Sequence, residues 1–170
     1  AASWQAYWDG LVEALEASPE VERASATLLL PLSGSSWEQR IRAEAGPVRL
    51  EEQPSFLFNI VGEGYFETLG VPLLLGRTFT AADGPDAPAV AVVDERMAER
   101  FWPGEEPIGQ RVSWVPASEG GPEWRTVVGV VANTRHYELE APSRIQGYMP
   151  LAQAARFTGL GLAVAARTRG

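Results

Sequence analysis

The sequence contains no lysine and no cysteine, and His136 is its only histidine. All fourteen basic residues are arginine. Without lysine there is no Walker-type phosphate ligand and no Schiff-base amine. Without cysteine there is no thiol nucleophile, iron–sulfur site or disulfide, and the chain is indifferent to redox, which suits cytosol and periplasm alike. One histidine cannot build a His-rich zinc site. Twenty-two acidic residues against fourteen basic ones leave a net charge of −8. That argues against nucleic acid, whose binding needs a clustered basic face. No apolar run approaches the ~20 residues that span a bilayer. The opening Ala1-Ala2-Ser3-Trp4 shows no charged region followed by an apolar one, so no signal peptide is read there.

What is present is globular. The chain has 170 residues, 45% hydrophobic and 21% charged. That is enough for one domain, or two small subdomains, burying roughly 70% of the unfolded surface. The chain opens directly into a helix and ends on an extended segment, so it reads as a piece of something larger.

The first element is a helix over 3–18. Trp4, Tyr7, Trp8, Leu11, Val12 and Leu15 form one apolar stripe. Ser3 is the expected N-cap and Pro19 ends the run. The two tryptophans are read as core packing, because a surface-binding helix carries Lys or Arg on its polar face. Val21 to Leu32 is expected to be extended, with the apolar run Leu28-Leu29-Leu30, and Ser33-Gly34-Ser35-Ser36 breaks it. Residues 37 to 53 read as loop, with one candidate strand near Val48 to Glu51. Ser55 to Val61 alternates: Phe56, Phe58 and Ile60 on one face, Leu57, Asn59 and Val61 on the other.

Gly64 to Gly70 reads as one helical turn closed by Gly70 at C′, and Pro72 prevents continuation. Leu73 to Arg77 is extended. Thr80-Ala81-Ala82-Asp83 has the capping-box spacing and predicts a short helical turn. Ala89 to Val93 is short and uninterruptedly apolar, which predicts a strand buried on both faces. Asp94 then caps a short helix bearing Met97, Ala98, Phe101 and Trp102 on one face, stopped by Pro103-Gly104. Gln110 to Val115 and Arg125 to Ala132 predict a hairpin, with Gly129 marking a bulge or a close backbone approach. Ile145 to Pro150 and Leu160 to Ala166 are further extended segments. Strands mixed with short helices define an α+β class.

None of the polar candidates forms a catalytic group. Strand, Asp94 and helix have the layout of a phosphate-binding turn, but the glycine-rich loop and the lysine are missing, so Asp94 reads as a cap. Asp83 and Asp86 flank Gly84-Pro85, a solvated turn. His136 has no partner in a G-x-S-x-G elbow and reads as a loop residue. Arg77, directly after Gly76, reads as the ion-pair partner that pins the Thr80–Asp83 turn. No catalytic, cofactor-binding or metal residue is therefore assigned, and no cofactor is expected.

The middle of the chain carries an ordered series. Tyr65-Phe66-Glu67-Thr68-Leu69-Gly70-Val71-Pro72-Leu73 leads into Gly76-Arg77-Thr78-Phe79-Thr80-Ala81-Ala82-Asp83. Val90-Ala91-Val92-Val93-Asp94-Glu95 follows, with Ala98, Arg100 and Phe101. Then come Pro103-Gly104-Glu105, Pro107-Ile108-Gly109, Val127-Val128-Gly129-Val130-Val131 and Tyr148-Met149-Pro150-Leu151-Ala152-Gln153. From about Asn59 to Gln153 this resembles the MacB-like periplasmic core domain of FtsX-like ABC permeases, in particular the large duplicated permeases of unassigned substrate.

The resemblance implies a porter-like βαβ subdomain, residues 1–70 with 145–170, interrupted by a smaller α/β subdomain, residues 71–144. It implies a domain outside the cytoplasm, between membrane helices of its parent permease. Such a domain has no catalytic residues and couples cytoplasmic ATP hydrolysis to events in the periplasm, or contacts a substrate or adaptor there. Gly70, Gly76, Arg77, Asp83, Asp94, Gly109 and Gly129 are then structural residues. Asp94 stands where the family often has asparagine. The family's first strand, upstream of Ser3, and its helix and strand after Arg167 are expected to be missing, leaving an unpaired edge near 160–166 or 21–30. The alternative function is a sensor module capturing a lipid or small amphiphile between the subdomains. An enzyme is the third reading.

Overall fold

The computed structural model describes residues 2–31, 33, 37–44, 55–114, 123–134, 145–154 and 161–169. The strand expected near 48–51 and His136 lie outside them. Helix α1 (Ala2–Glu16) is followed by β1 (Val21–Thr27), β2 (Glu38–Arg40), β3 (Arg42–Ala43), β4 (Ser55–Val61), α2 (Tyr65–Leu69) and β5 (Leu73–Gly76). Then come β6 (Val90–Asp94), α3 (Glu95–Phe101), β7 (Arg111–Ser113), β8 (Arg125–Val131), β9 (Gln146–Pro150), a 3-10 turn (Leu151–Gln153) and β10 (Ala163–Thr168). The α+β class holds.

The described strands make one sheet, in the order β10-β1-β4-β9-β6-β8-β7-β3, with β2 beside β4 and β5 beside β8. β9 lies parallel to β4, from Leu57↔Gln146 to Val61↔Pro150. On its other side it meets β6 antiparallel through only Val92↔Tyr148 and Val93↔Gly147. β6 and β8 are parallel, with α3 in the connection between them. The predicted hairpin is present but short, pairing Arg111↔Thr126 and Val112↔Arg125.

Alternation in the strands puts two apolar layers on the sheet. Phe56, Phe58 and Ile60 join Ala91, Val93, Met97 and Phe101 on one face. Val61 joins Tyr65, Phe66, Phe79, Val90, Val92 and Tyr148 on the other. β6 therefore sends successive side chains into both layers, and all five of its residues are buried. Trp4, Trp8 and Val12 of α1 cover part of the first layer.

Six expectations need correction. Ser3, expected to cap α1, lies inside it, since the helix begins at Ala2. Residues 37 to 53, read as loop apart from 48–51, hold the short strands β2 and β3. Tyr7, placed on the apolar stripe, is 64% exposed and meets the rest of α1 only edge-on, 5.2 Å from the Trp8 ring. The strand expected to reach Leu32 stops at Thr27. Beyond it, the N–H of Leu29 donates to Asn59 Oδ1 (3.0 Å) and its carbonyl accepts from Asn59 Nδ2 (2.9 Å). After the Leu28 N–H to Ile60 O bond (2.8 Å), a side-chain amide thus takes over from the ladder at Leu29. Thr80–Asp83 closes one turn (Asp83 N–H to Thr80 O, 2.9 Å) without becoming a helix. The last strand starts at Ala163, not Leu160, and pairs with β1 from Thr27↔Ala163 to Val21↔Thr168. Beyond that pairing β10 ends the sheet.

Asn59→Leu should be costly, because it strips the buried Leu29 N–H of its partner and leaves the Leu29 carbonyl with Thr27 Oγ1 (3.0 Å) as its remaining donor, while keeping the volume. Burying unpaired N–H and C=O groups costs ~1–3 kcal/mol each. We expect a loss of ~3 kcal/mol, read as a lower urea midpoint at unchanged m-value.

Candidate functional site

The first cluster is a close crossing of β5 and β8. Gly76 pairs with Gly129, and the β6–β8 ladder shifts register beside it, between Ala91 and Val92. A Cβ on Gly76 would lie 2.2 Å from the Val128 carbonyl oxygen, and one on Gly129 2.1 Å from that of Arg77. Gly76 also has φ 70°, a left-handed conformation. The crossing aims Arg77 outward. Its backbone N–H donates to Val128 O (2.9 Å), and its guanidinium forks onto both carboxylate oxygens of Asp83, at 2.7 and 2.8 Å. Asp83 also accepts the Thr80 N–H at 2.9 Å. The Arg77 hydrogen bonds hold the buried Asp83 carboxyl below the usual range, against the opposing effect of burial. Because the arginine is half exposed, its net contribution is that of a screened pair. Asp86 is exposed.

Gly70 closes α2 with φ 68°. Its N–H donates to Glu67 O, and that of Val71 to Phe66 O, the paired bonds of a left-handed helix stop. Arg167 reaches this end from β10, donating to Thr68 O at 3.0 Å. Gly109, φ 90°, turns the chain into β7 and donates to Val127 O.

The second cluster lies where β9 meets β6. Asp94 is fully buried, and its Oδ1 accepts the Met97 N–H at 2.8 Å, capping α3. Its Oδ2 has no hydrogen-bond partner. Burial pushes the carboxyl up to about 7, with the Met97 and Gln146 N–H groups and the Arg96 charge pulling the other way. On β9, the buried Tyr148 hydroxyl donates to Gln146 Oε1 (2.6 Å), and Thr134 Oγ1 lies 2.7 Å from the same oxygen and 3.0 Å from the Tyr148 hydroxyl. Burial also pushes both the Tyr148 and Tyr65 hydroxyls up, Tyr65 to about 12. On β4, Asn59 Nδ2 lies 3.4 Å from the Tyr65 hydroxyl.

These polar residues escaped the sequence reading. Asn59 and Gln146 sit in strands whose alternation marks them only as facing a layer, and their partners lie far along the chain. Arg125 opens the apolar strand β8. It is 1% exposed, pairs with Glu123, donates to Gln153 Oε1 (3.0 Å) and lies over the Trp114 ring at 5.6 Å. Gln153 also accepts the Val90 N–H and donates to Pro88 O. The available signal was a charged residue opening an otherwise apolar strand.

Chemically, these groups hold backbone together. Asp83 and Asp94 are far apart in role: one is locked by an arginine, the other caps a helix. Among the described residues no three His, Cys, Asp or Glu side chains converge as metal ligands. Among the same residues no helix is long and apolar enough to cross a membrane.

Solved structures similar in fold include periplasmic and extracellular domains of ABC-type transporters. The periplasmic region of MacB from Actinobacillus actinomycetemcomitans superposes with a TM-score of 0.63 at 18% identity, covering 94% of this chain and 64% of its own length. The extracellular domain of the noncanonic ABC-type transporter YknZ from Gram-positive bacteria gives 0.62 at 18% identity, covering 94% and 71%. A comparison with curated proteins finds no match. In sequence, residues 2–169 match the MacB-like periplasmic core domain, and the chain belongs to that family. It is the domain type that ABC transporter permeases carry outside the cytoplasm.

Proposed function

We propose that this domain is non-catalytic and couples cytoplasmic ATP hydrolysis to the handling of a substrate or partner outside the membrane. Its immediate partners would be the membrane helices of its own permease. An ATPase subunit or domain would act through them, with an adaptor or substrate on the far side. Residues 1–70 with 145–170 would be one part and residues 71–144 the other. Gly70, Gly76, Arg77, Asp83, Asp94, Gly109 and Gly129 would keep each part rigid, and no cofactor would be needed.

The observation that supports this is how thinly the two parts are laddered together. Five register pairs join β4 to β9 and five join β6 to β8, each within one part. Among the described residues the ladders between the parts are the two pairs of β9–β6 and the two of β3–β7 (Arg42↔Ser113, Ala43↔Val112), with the side chains of Gln153 and Gln146 adding hydrogen bonds across. Coupling needs an element with two arrangements that both ends can bias, and short ladders are where packed layers can shear.

The test is a reversible staple. Directly opposed residues of an antiparallel pair have Cβ atoms ~4.5–5.5 Å apart, near what a disulfide accepts. Arg42→Cys with Ser113→Cys, in this cysteine-free domain, would tie the parts across β3–β7. Oxidation should reduce export by the parent permease ~10-fold or more, and reduction should restore it, because motion is blocked without altering any chemistry. Asp83→Ala and Asp94→Ala should leave transport-linked ATPase activity within a few-fold. Normal export by the oxidised form, together with abolished activity in His136→Ala, would refute the coupling reading in favour of a chemical site.

A further inference from the structure

Leu73, Leu74 and Leu75 are 43%, 46% and 45% exposed, and with Tyr7 they are the large apolar side chains left open among the described residues. Three such residues in a row on one strand are not the scattered apolar exposure of an ordinary surface. Leu74 and Leu75 line a groove of about 410 Å³ together with Ala98 and Trp102 at the α3 end and Val130 of β8. The lining also includes Glu95, Glu99 and Glu105. Arg96 and Arg100 alternate with two of these glutamates along α3 but do not line the groove. Its floor is therefore apolar and its charge of one sign.

We infer that this groove docks a basic amphipathic helix of a partner protein, apolar side chains between β5 and α3 and arginine or lysine against Glu95, Glu99 and Glu105. Charge selects the occupant. A second copy would bring the same three carboxylates from a chain of net charge −8, which repels, whereas a cationic helix gains complementarity all along the rim. Shape selects a helix over a strand. Among the described residues β5 leaves one edge open, but it has four residues, a register shift between Leu73 and Leu75, and Gly76 at φ 70°. Such an edge is a poor template for strand addition. A groove between a helix and an apolar strand accepts anchors at i, i+3, i+4 and i+7 of a helix instead. The inference stands apart from the coupling proposal, which the staple tests separately.

The probe is a synthetic helix of about 18 residues with leucine at those anchor positions and arginine at the remainder, and a twin with glutamate for arginine. Fluorescence anisotropy should show the arginine peptide binding the domain with a Kd of about 10 μM and the glutamate peptide at least ~30-fold more weakly. Leu74→Asp with Leu75→Asp should weaken binding ~10-fold or more. Glu99→Arg with Glu105→Arg should do the same, and because these glutamates are exposed this pair decides the question if the leucine variant misfolds. Glu20→Arg with Glu22→Arg changes net charge equally at a distance and should change Kd less than ~3-fold. Equal binding of the two peptides, equal loss in the distant pair, or a Kd above ~1 mM would overturn the inference. So would a concentration-dependent dimer abolished by Leu74→Asp with Leu75→Asp, which would assign the groove to a second copy.

Discussion

Asp94→Asn should raise the melting temperature at pH 8 by about 5 °C and flatten its pH dependence between pH 5 and 8. The folded carboxyl titrates near 7 because burial disfavours its charge, whereas an unfolded aspartate titrates near 3.9. A group raised in the folded state contributes stability that is fully present below the unfolded value and is lost as pH rises through the folded one. Integrated over about three units, that loss is ~4 kcal/mol by pH 8. The backbone N–H groups of Met97 and Gln146 and the Arg96 charge favour the Asp94 anion, while burial, Glu95 of α3 and the Tyr148 hydroxyl of β9 oppose it. Asparagine keeps the cap on the Met97 N–H, since it is as good an N-cap as aspartate, and removes the charge. Its amide N–H₂ would face the side where Oδ2 has no partner, which costs ~1–3 kcal/mol. The net gain at pH 8 is then ~1–3 kcal/mol, and a domain of this length gains about 2–4 °C per kcal/mol. At pH 5 the aspartic acid is already neutral, so the two proteins should melt close together or the variant slightly lower. Scanning calorimetry at pH 5, 6.5 and 8 settles it. A wild-type melting temperature that is flat over that range, or an equal fall in the asparagine variant, would mean Asp94 is not the titrating group. The acid limb belongs to Asp83, whose lowered value makes it stabilising at neutral pH and less so as pH falls through the carboxylate range.

Local pattern carried the elements but not their order. β6 was legible because five apolar residues between a proline turn and a capping aspartate fit only a strand buried on both faces. The α2 stop was legible because a glycine followed by Val-Pro both permits the left-handed turn and forbids further helix. The insertion of β9 between β4 and β6 was not legible, since a five-residue strand can pair in either direction on either side. Leu28–Leu30 misled for a related reason. Three leucines look like strand, but the middle one, Leu29, has its N–H and carbonyl bonded by an asparagine thirty positions away, and no window of local sequence contains that bond. Arg125 is the same lesson for charge, its guanidinium answered by Gln153, Glu123 and the Trp114 ring. What hydropathy cannot convey is a polar side chain doing a backbone's task.

Gly129→Ala should be among the most damaging single-methyl changes in the domain. The added Cβ would stand 2.1 Å from the Arg77 carbonyl oxygen and 3.4 Å from Val92 Cγ2. The second contact is ordinary; the first is with backbone and cannot be relieved by a rotamer. Either β5 moves off β8, breaking the Arg77 N–H to Val128 O bond and misaiming the Arg77–Asp83 pair, or β8 moves and loosens its ladder with β6 in the middle of both apolar layers. Overpacking a rigid interior costs ~1–3 kcal/mol, and loss of the buried backbone bond adds ~1–3 kcal/mol. We expect a loss of at least ~3 kcal/mol or failure to fold. Gly76→Ala should be no better, because its Cβ would meet Val128 O at 2.2 Å and its φ of 70° adds strain. Gly10→Ala supplies the opposite sign. Gly10 lies within α1 with nothing within 4 Å of the new methyl, so alanine should stabilise by ~0.5–1 kcal/mol through helix propensity alone. Urea denaturation of the three variants separates the mechanisms: one methyl on three glycines, two large losses and one gain. If Gly129→Ala loses less than ~1 kcal/mol, β5 and β8 do not approach as closely as drawn, and the crossing that aims Arg77 at Asp83 is not a fixed feature of the domain.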